Sequence, residues 1–81
     1  MNEVLMWKGL LVELKRKARE KESQAAAIII SMRMMLNPHE TDITKLNVEE
    51  IENAGDLLRK LVEEIREMKA QMEKLETSIN G

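Results

Sequence analysis

The sequence predicts an all-α protein, an antiparallel two-helix hairpin of coiled-coil character that dimerises into a four-helix bundle. Three observations carry that expectation. Leu, Met, Ala, Glu, Lys and Arg dominate the 81 residues, beside one Trp, no Tyr, no Phe and one Pro, a composition that favours helix over sheet. Two long stretches repeat apolar residues at alternating spacings of three and four, the pattern of a helix with one buried seam. Finally, Ala25–Leu36 (AAAIIISMRMML) is apolar on every side, since Ser31 and Arg33 do not build a continuous wet stripe at about 100° per residue. A helix of that kind must be surrounded, and a chain this short cannot surround it alone. Cysteine is absent, which excludes disulfides and thiolate metal sites and leaves oligomerisation as the remaining source of core.

Residues 1–81 read as a single helical-hairpin domain. The first helix is expected over about residues 2–36, with its seam at Val4, Trp7, Leu11, Leu14, Ala18, Lys21, Ala25, Ile28, Met32 and Met35. Lys21 is the one polar break. Asn37-Pro38 ends the helix, because proline pushes the preceding residue out of the α region and has no amide to donate. Gly9 costs about 1 kcal/mol relative to alanine, so the first two turns are expected to fray. In the connector, residues 37–47, Thr41 or Asp42 can cap one short helical turn, and Ile43 with Leu46 is expected to cover the end of the core. The second helix, about residues 48–79, opens with a capping Asn47, Glu50 three residues on, and Leu46 and Ile51 spaced as a hydrophobic staple. Its seam runs unbroken through Ile51, Ala54, Leu58, Leu61, Ile65, Met68, Met72, Leu75 and Ile79, and Asn80-Gly81 closes it.

Two helices of nearly equal length, about 50 Å each at 1.5 Å per residue, pair most simply as an antiparallel hairpin. Facing residues should then have numbers that add to about 84. The net charge of −2 divides into +3 on residues 1–36 and −5 on residues 37–81, so the halves attract. In that register Lys15, Arg16, Lys17, Arg19 and Lys21 fall beside Glu63, Glu64, Glu67 and Lys69, with Lys21 answered by Glu63 or Glu64. A polar layer of this kind adds little stability but can fix register. Ala26 and Ala27 should lie near Ala54 and Gly55. The apolar residues left over, with Ala26, Ile29, Ile30, Met34, Leu57 and Val62 as the predicted interface, are expected to pack a second hairpin.

No motif carries catalysis, a cofactor or a metal. The only histidine, His39, lies beside Glu40 and Asp42 in the connector, but it has no second ligand at helical spacing, and loop and capping roles fit these residues better. A helical-bundle enzyme of the chorismate mutase type would need several inward cations with a hydrogen-bonding Glu or Gln. Arg33, Lys21 and Gln24 are a thin set for that. Four of the seven methionines, Met32, Met35, Met68 and Met72, fall on seam positions, and the methionines read as packing rather than as an adaptable binding groove. The basic run, Lys15, Arg16, Lys17 and Arg19, is the candidate nucleic-acid contact, yet it lacks base-reading partners, and the acidic overall balance favours pairing with the second helix. Val4–Leu14 carries Glu3 just before it and Lys8 within it and lacks a small-residue cleavage site, so no leader is read there. The same residues extend the seam, which is preferred to a membrane-surface helix. Ala25–Leu36 is too short to span a bilayer, which takes about 20 apolar residues. The expected location is the cytoplasm.

The order I-x-S-M-R-x-x-L-N-P at Ile29–Pro38, then D-I-x-x-L-N at Asp42–Asn47, then a helix bearing Ala54 and Leu57-Leu58 resembles small uncharacterised helical-hairpin proteins encoded in Mu-like prophages. The likeness implies a bacterial or phage origin and no chemistry. The functional expectation is a non-enzymatic assembly or adaptor protein that forms a homo-oligomer, a dimer first, or binds another protein. A small nucleic-acid-binding regulator using Lys15–Lys21 is the alternative.

Overall fold

The structure, a computed structural model, describes residues 2–81. It contains two helices of 33 residues each, α1 (Glu3–Met35) and α2 (Val48–Asn80), joined by a connector with one 3₁₀ turn at Ile43–Lys45. The chain is an all-α helical hairpin, with no strand among the described residues.

Each helix end has a local cause. Asn2 accepts the Leu5 N–H at 3.2 Å, and Glu3 sits in the first turn where the helix dipole favours an anion. α1 then runs through Gly9 without a break. Past Met35 the Leu36 N–H donates to the Met32 carbonyl at 2.9 Å and the Asn37 N–H to that of Met34 at 3.3 Å, before Pro38 forbids another turn. In the connector Asp42 caps the 3₁₀ turn, accepting from the Thr44 N–H at 3.0 Å and the Thr44 hydroxyl at 2.6 Å. Asn47 caps α2 by accepting the Glu50 N–H at 3.1 Å. Leu46 is half-buried under the hairpin tip, but Ile43 is 77% exposed. The expectation that both cover the core end therefore holds for Leu46 alone, because the 3₁₀ turn swings Ile43 outward.

The seams meet as the spacing requires. On α1, Trp7, Leu11, Leu14, Lys21, Ile28, Met32 and Met35 are half-buried and Ala18 and Ala25 are buried, with Val4 at the open end more exposed. All nine α2 seam residues are half-buried, with Gly55, Val62 and Glu64 beside them. Among the described residues only Ala18 (3% exposed) and Ala25 (8%) are buried. A β-carbon added at Gly55 would come to 3.9 Å from the Met32 methyl. Ala26 and Ala27 are exposed, and the buried alanine of this stretch is Ala25. They lie about 100° and 200° around the helix from buried Ala25, on the outer side.

The register also differs from the simple expectation. Lys21 pairs with Glu64, residue numbers adding to 85, while Lys15–Glu76 at 3.9 Å and Lys69–Glu22 at 3.4 Å both add to 91. Long side chains lean toward the N-terminus of their own helix, so ion pairs on one flank join residues further along each helix than the seam does. The result is a rod of 65 × 15 × 14 Å with a radius of gyration of 18.4 Å. A compact chain of this length would have about 12 Å.

Candidate functional site

The hollows among the described residues are shallow and open, one of them lined by Lys60, Glu63, Glu64, Arg66 and Glu67, so the surfaces of the rod are what it offers. They sort by helix phase. On one flank Lys15, Glu22, Ile29 and Leu36 recur every seven residues along α1, opposite Glu76, Lys69, Val62 and Gly55 on α2. The first two levels are ion pairs. The next level is apolar, with Ile29 40% exposed and Val62 half-buried. The other flank carries two shallow open grooves, one lined by Leu10, Leu14, Gln71, Lys74 and Leu75, the other by Gln24, Ala27, Ile28, Leu57, Lys60 and Leu61 between Lys21 and Glu64.

The two outer backs differ in chemistry. On α2 the outward residues are Glu52, Asp56, Arg59, Glu63, Arg66, Glu67, Ala70, Glu73 and Thr77, all exposed and nearly all polar. That is an ordinary solvated face. On α1 the outward residues are apolar at both ends, apart from Glu13 beside Val12 and Arg33 beside Met34, and charged between. Leu5 (63% exposed), Met6 (58%) and Val12 (68%) surround Gly9 near the start, and Ala26, Ala27, Ile30 (59%) and Met34 (75%) lie near the tip. Arg16, Arg19, Glu20 and Ser23 separate the two patches.

The six predicted interface residues therefore do not form one surface. Ala26, Ile30 and Met34 lie on the back of α1, Ile29 and Val62 fall by helix phase on the ion-paired flank, and Leu57 lines a groove on the opposite flank. Leu57 and Val62 share α2 but are five residues apart, about 140° around the helix. The apolar group Leu5, Met6 and Val12 was not singled out from the sequence as an interface. Its signal was present: the frame that places Val4, Leu11 and Ala18 in the seam places these three outward.

The basic run is partly consumed within the chain. Arg16 donates from Nε to Glu13 at 3.1 Å and also pairs with Glu20, and Lys15 approaches Glu76. The hydrogen bond to Arg16 holds the Glu13 carboxyl below its ordinary range. The same bond, with the charges of Glu13 and Glu20, raises Arg16. For Lys17 and Arg19 there is no ion pair among the described residues. The expected match of the run to Glu63 and Glu67 is limited to Lys21–Glu64, because Arg16 finds carboxylates three and four residues away on its own helix.

The connector residues serve the turn. The His39 N–H donates to the Asn37 side chain at 3.1 Å, and Glu40 accepts the Asp42 N–H at 3.1 Å. No group of three or more His, Cys, Asp or Glu side chains among the described residues is placed to hold a metal ion. Lys21 and Gln24 line one groove, but Lys21 is engaged there with Glu64, and Arg33 is exposed on α1 and is not among the residues that line it. Among the described residues no helix is long and apolar enough to cross a membrane. No known protein family, curated protein or solved structure matches this chain.

Proposed function

We propose that this chain is a non-enzymatic, self-associating helical module that serves assembly or adaptor roles. One observation carries the reading: the lone hairpin exposes 6554 Å², whereas a compact monomer of 9.4 kDa exposes about 5,000 Å². The surplus of about 1,500 Å² per chain exceeds the ~800 Å² per partner of an ordinary interface and falls in the range of obligate homodimers. Large apolar residues on the back of α1 and along the tip contribute to it. Sedimentation equilibrium and light scattering at micromolar concentration test the reading. A dimer or higher oligomer is expected, and a folded, stable monomer overturns it.

The nucleic-acid alternative has less support, since Arg16 is neutralised within α1 and Lys15 sits near Glu76. Salt-sensitive retardation of a duplex or single strand, abolished when Lys15, Arg16, Lys17 and Arg19 become glutamine, would replace the assembly reading with that one. The cysteine-free composition fits a reducing compartment such as the cytoplasm.

A further inference from the structure

We infer that the second copy lies antiparallel along the outer back of α1, so that the tip patch of each hairpin covers the apolar patch at the start of α1 in the other. This rests on the self-association reading and adds the face and the direction. The face follows from the contrast between the two backs. That of α2 is charged along its length and has no apolar area to bury, whereas α1 presents Leu5, Met6 and Val12 at one end and Ala26, Ile30 and Met34 at the other. The surface surplus is as large as an obligate dimer needs, and the two apolar patches on this face are the ones that the backs of the helices leave open.

The direction follows from size. Antiparallel pairing about a two-fold axis near Arg19 sets Ile30 against Gly9 of the second copy, Val12 against Ala26, and Arg16 against Ser23, large on small at each level. Parallel pairing sets Ile30 on Ile30 and Gly9 on Gly9, which leaves bulges and a gap; like charges meet in either arrangement, Arg16 on Arg16 in this one and Arg19 across the axis in the antiparallel one. Gly9 is otherwise unexplained. A β-carbon added there meets nothing within 4 Å in its own chain, and a mid-helix glycine is unfavourable without a reason for it. Under an isoleucine of the second copy, the bare backbone becomes the seat for that side chain.

The absence of cysteine makes cross-linking clean. Val12→Cys and Ala26→Cys chains are prepared separately, mixed and oxidised gently. A disulfide between the two variants is expected, since it needs β-carbons within about 3.5–4.5 Å. Ala26→Cys alone should not cross-link, because in this arrangement its two copies lie about 20 Å apart along the axis. Gly9→Leu, which is harmless on an open helix face, is expected to weaken dimerisation about tenfold or more. Three results overturn the inference: Ala26→Cys cross-linking with itself as readily as with Val12→Cys, a dimer that forms neither cross-link, or a Gly9→Leu dimer as tight as the parent. A chain that stays monomeric before any substitution instead overturns the self-association reading beneath it.

Discussion

At the scale of single residues, Lys21 shows how a polar group inside a seam trades stability for register. Its side chain is 29% exposed, and its partner Glu64 is 45% exposed. Screening by water leaves such a pair little net value, while the apolar neighbours of Lys21 would pack a leucine well. Lys21→Leu is therefore expected to raise stability by about 1 kcal/mol, measured by urea unfolding at fixed protein concentration. A loss of that size would mean that the pair contributes more than its exposure suggests. Arg16 and Glu13 make a different point about pH. The depressed carboxyl of Glu13 contributes stability that is present above its unfolded pKa and is lost as pH falls through the folded value. Arg16 is shifted upward and stays charged throughout, so it adds no step in this window. Thermal melts from about pH 7 down to about pH 3 should fall more steeply for the parent than for Glu13→Gln. Parallel curves would dissociate the stability of α1 from this pair.

The caps and the closest approach of the helices belong to the scale of the elements. Asn47 supplies a side-chain acceptor to the first turn of α2, and Asn47→Ala should cost about 1 kcal/mol by chemical denaturation, with Asn47→Ser restoring most of it. Ala18, 3% exposed in the middle of α1, sets how near α2 can come. Ala18→Leu is expected to destabilise by about 1–3 kcal/mol although leucine is the more hydrophobic residue, because there is no volume for it. A stabilised variant in the same denaturation series would show that the helices can part there without loss. The cap at Asn47 and both seams were legible before the structure, whereas the close approach was expected at Ala26 and Ala27 and not at Ala18. The seam of α2 and its start at Asn47 follow from spacing and capping chemistry, and the seam of α1 follows from spacing alone. What spacing could not resolve was choice among equals. Ala25 was placed in the seam by spacing and is buried, but spacing gave no side to its neighbours Ala26 and Ala27, which are exposed. Arg16 had carboxylates within reach on both helices, and its own helix held them closer. Leu57 and Val62 were grouped because both widen the apolar face of α2, but they widen it on opposite edges.

On the scale of the whole molecule, the balance between surface and core makes the sharpest claim. Only two alanines are buried among the described residues, and the rod exposes 6554 Å², so most of its seam is half-covered and the back of α1 is not covered at all. A lone hairpin and a dimer differ in how they melt. For a monomer the midpoint is independent of concentration, whereas for a dimer each tenfold dilution removes about 1.4 kcal/mol and should lower the midpoint by about 3–6 °C. Ile30→Asp separates the cases further. Ile30 is 59% exposed in the single hairpin, and a surface substitution there should change a monomer by no more than about 0.5 kcal/mol. If the residue is covered by a second copy, the same substitution places an unpaired carboxylate in a dry interface, and the dimer is lost together with much of the helicity. Circular dichroism melts of the parent and Ile30→Asp across a hundredfold concentration range decide between them. The self-associating rod predicts a sloping midpoint for the parent and a poorly helical variant, while two superimposable, concentration-independent melts would mean that a single hairpin, with almost no core, is stable by itself.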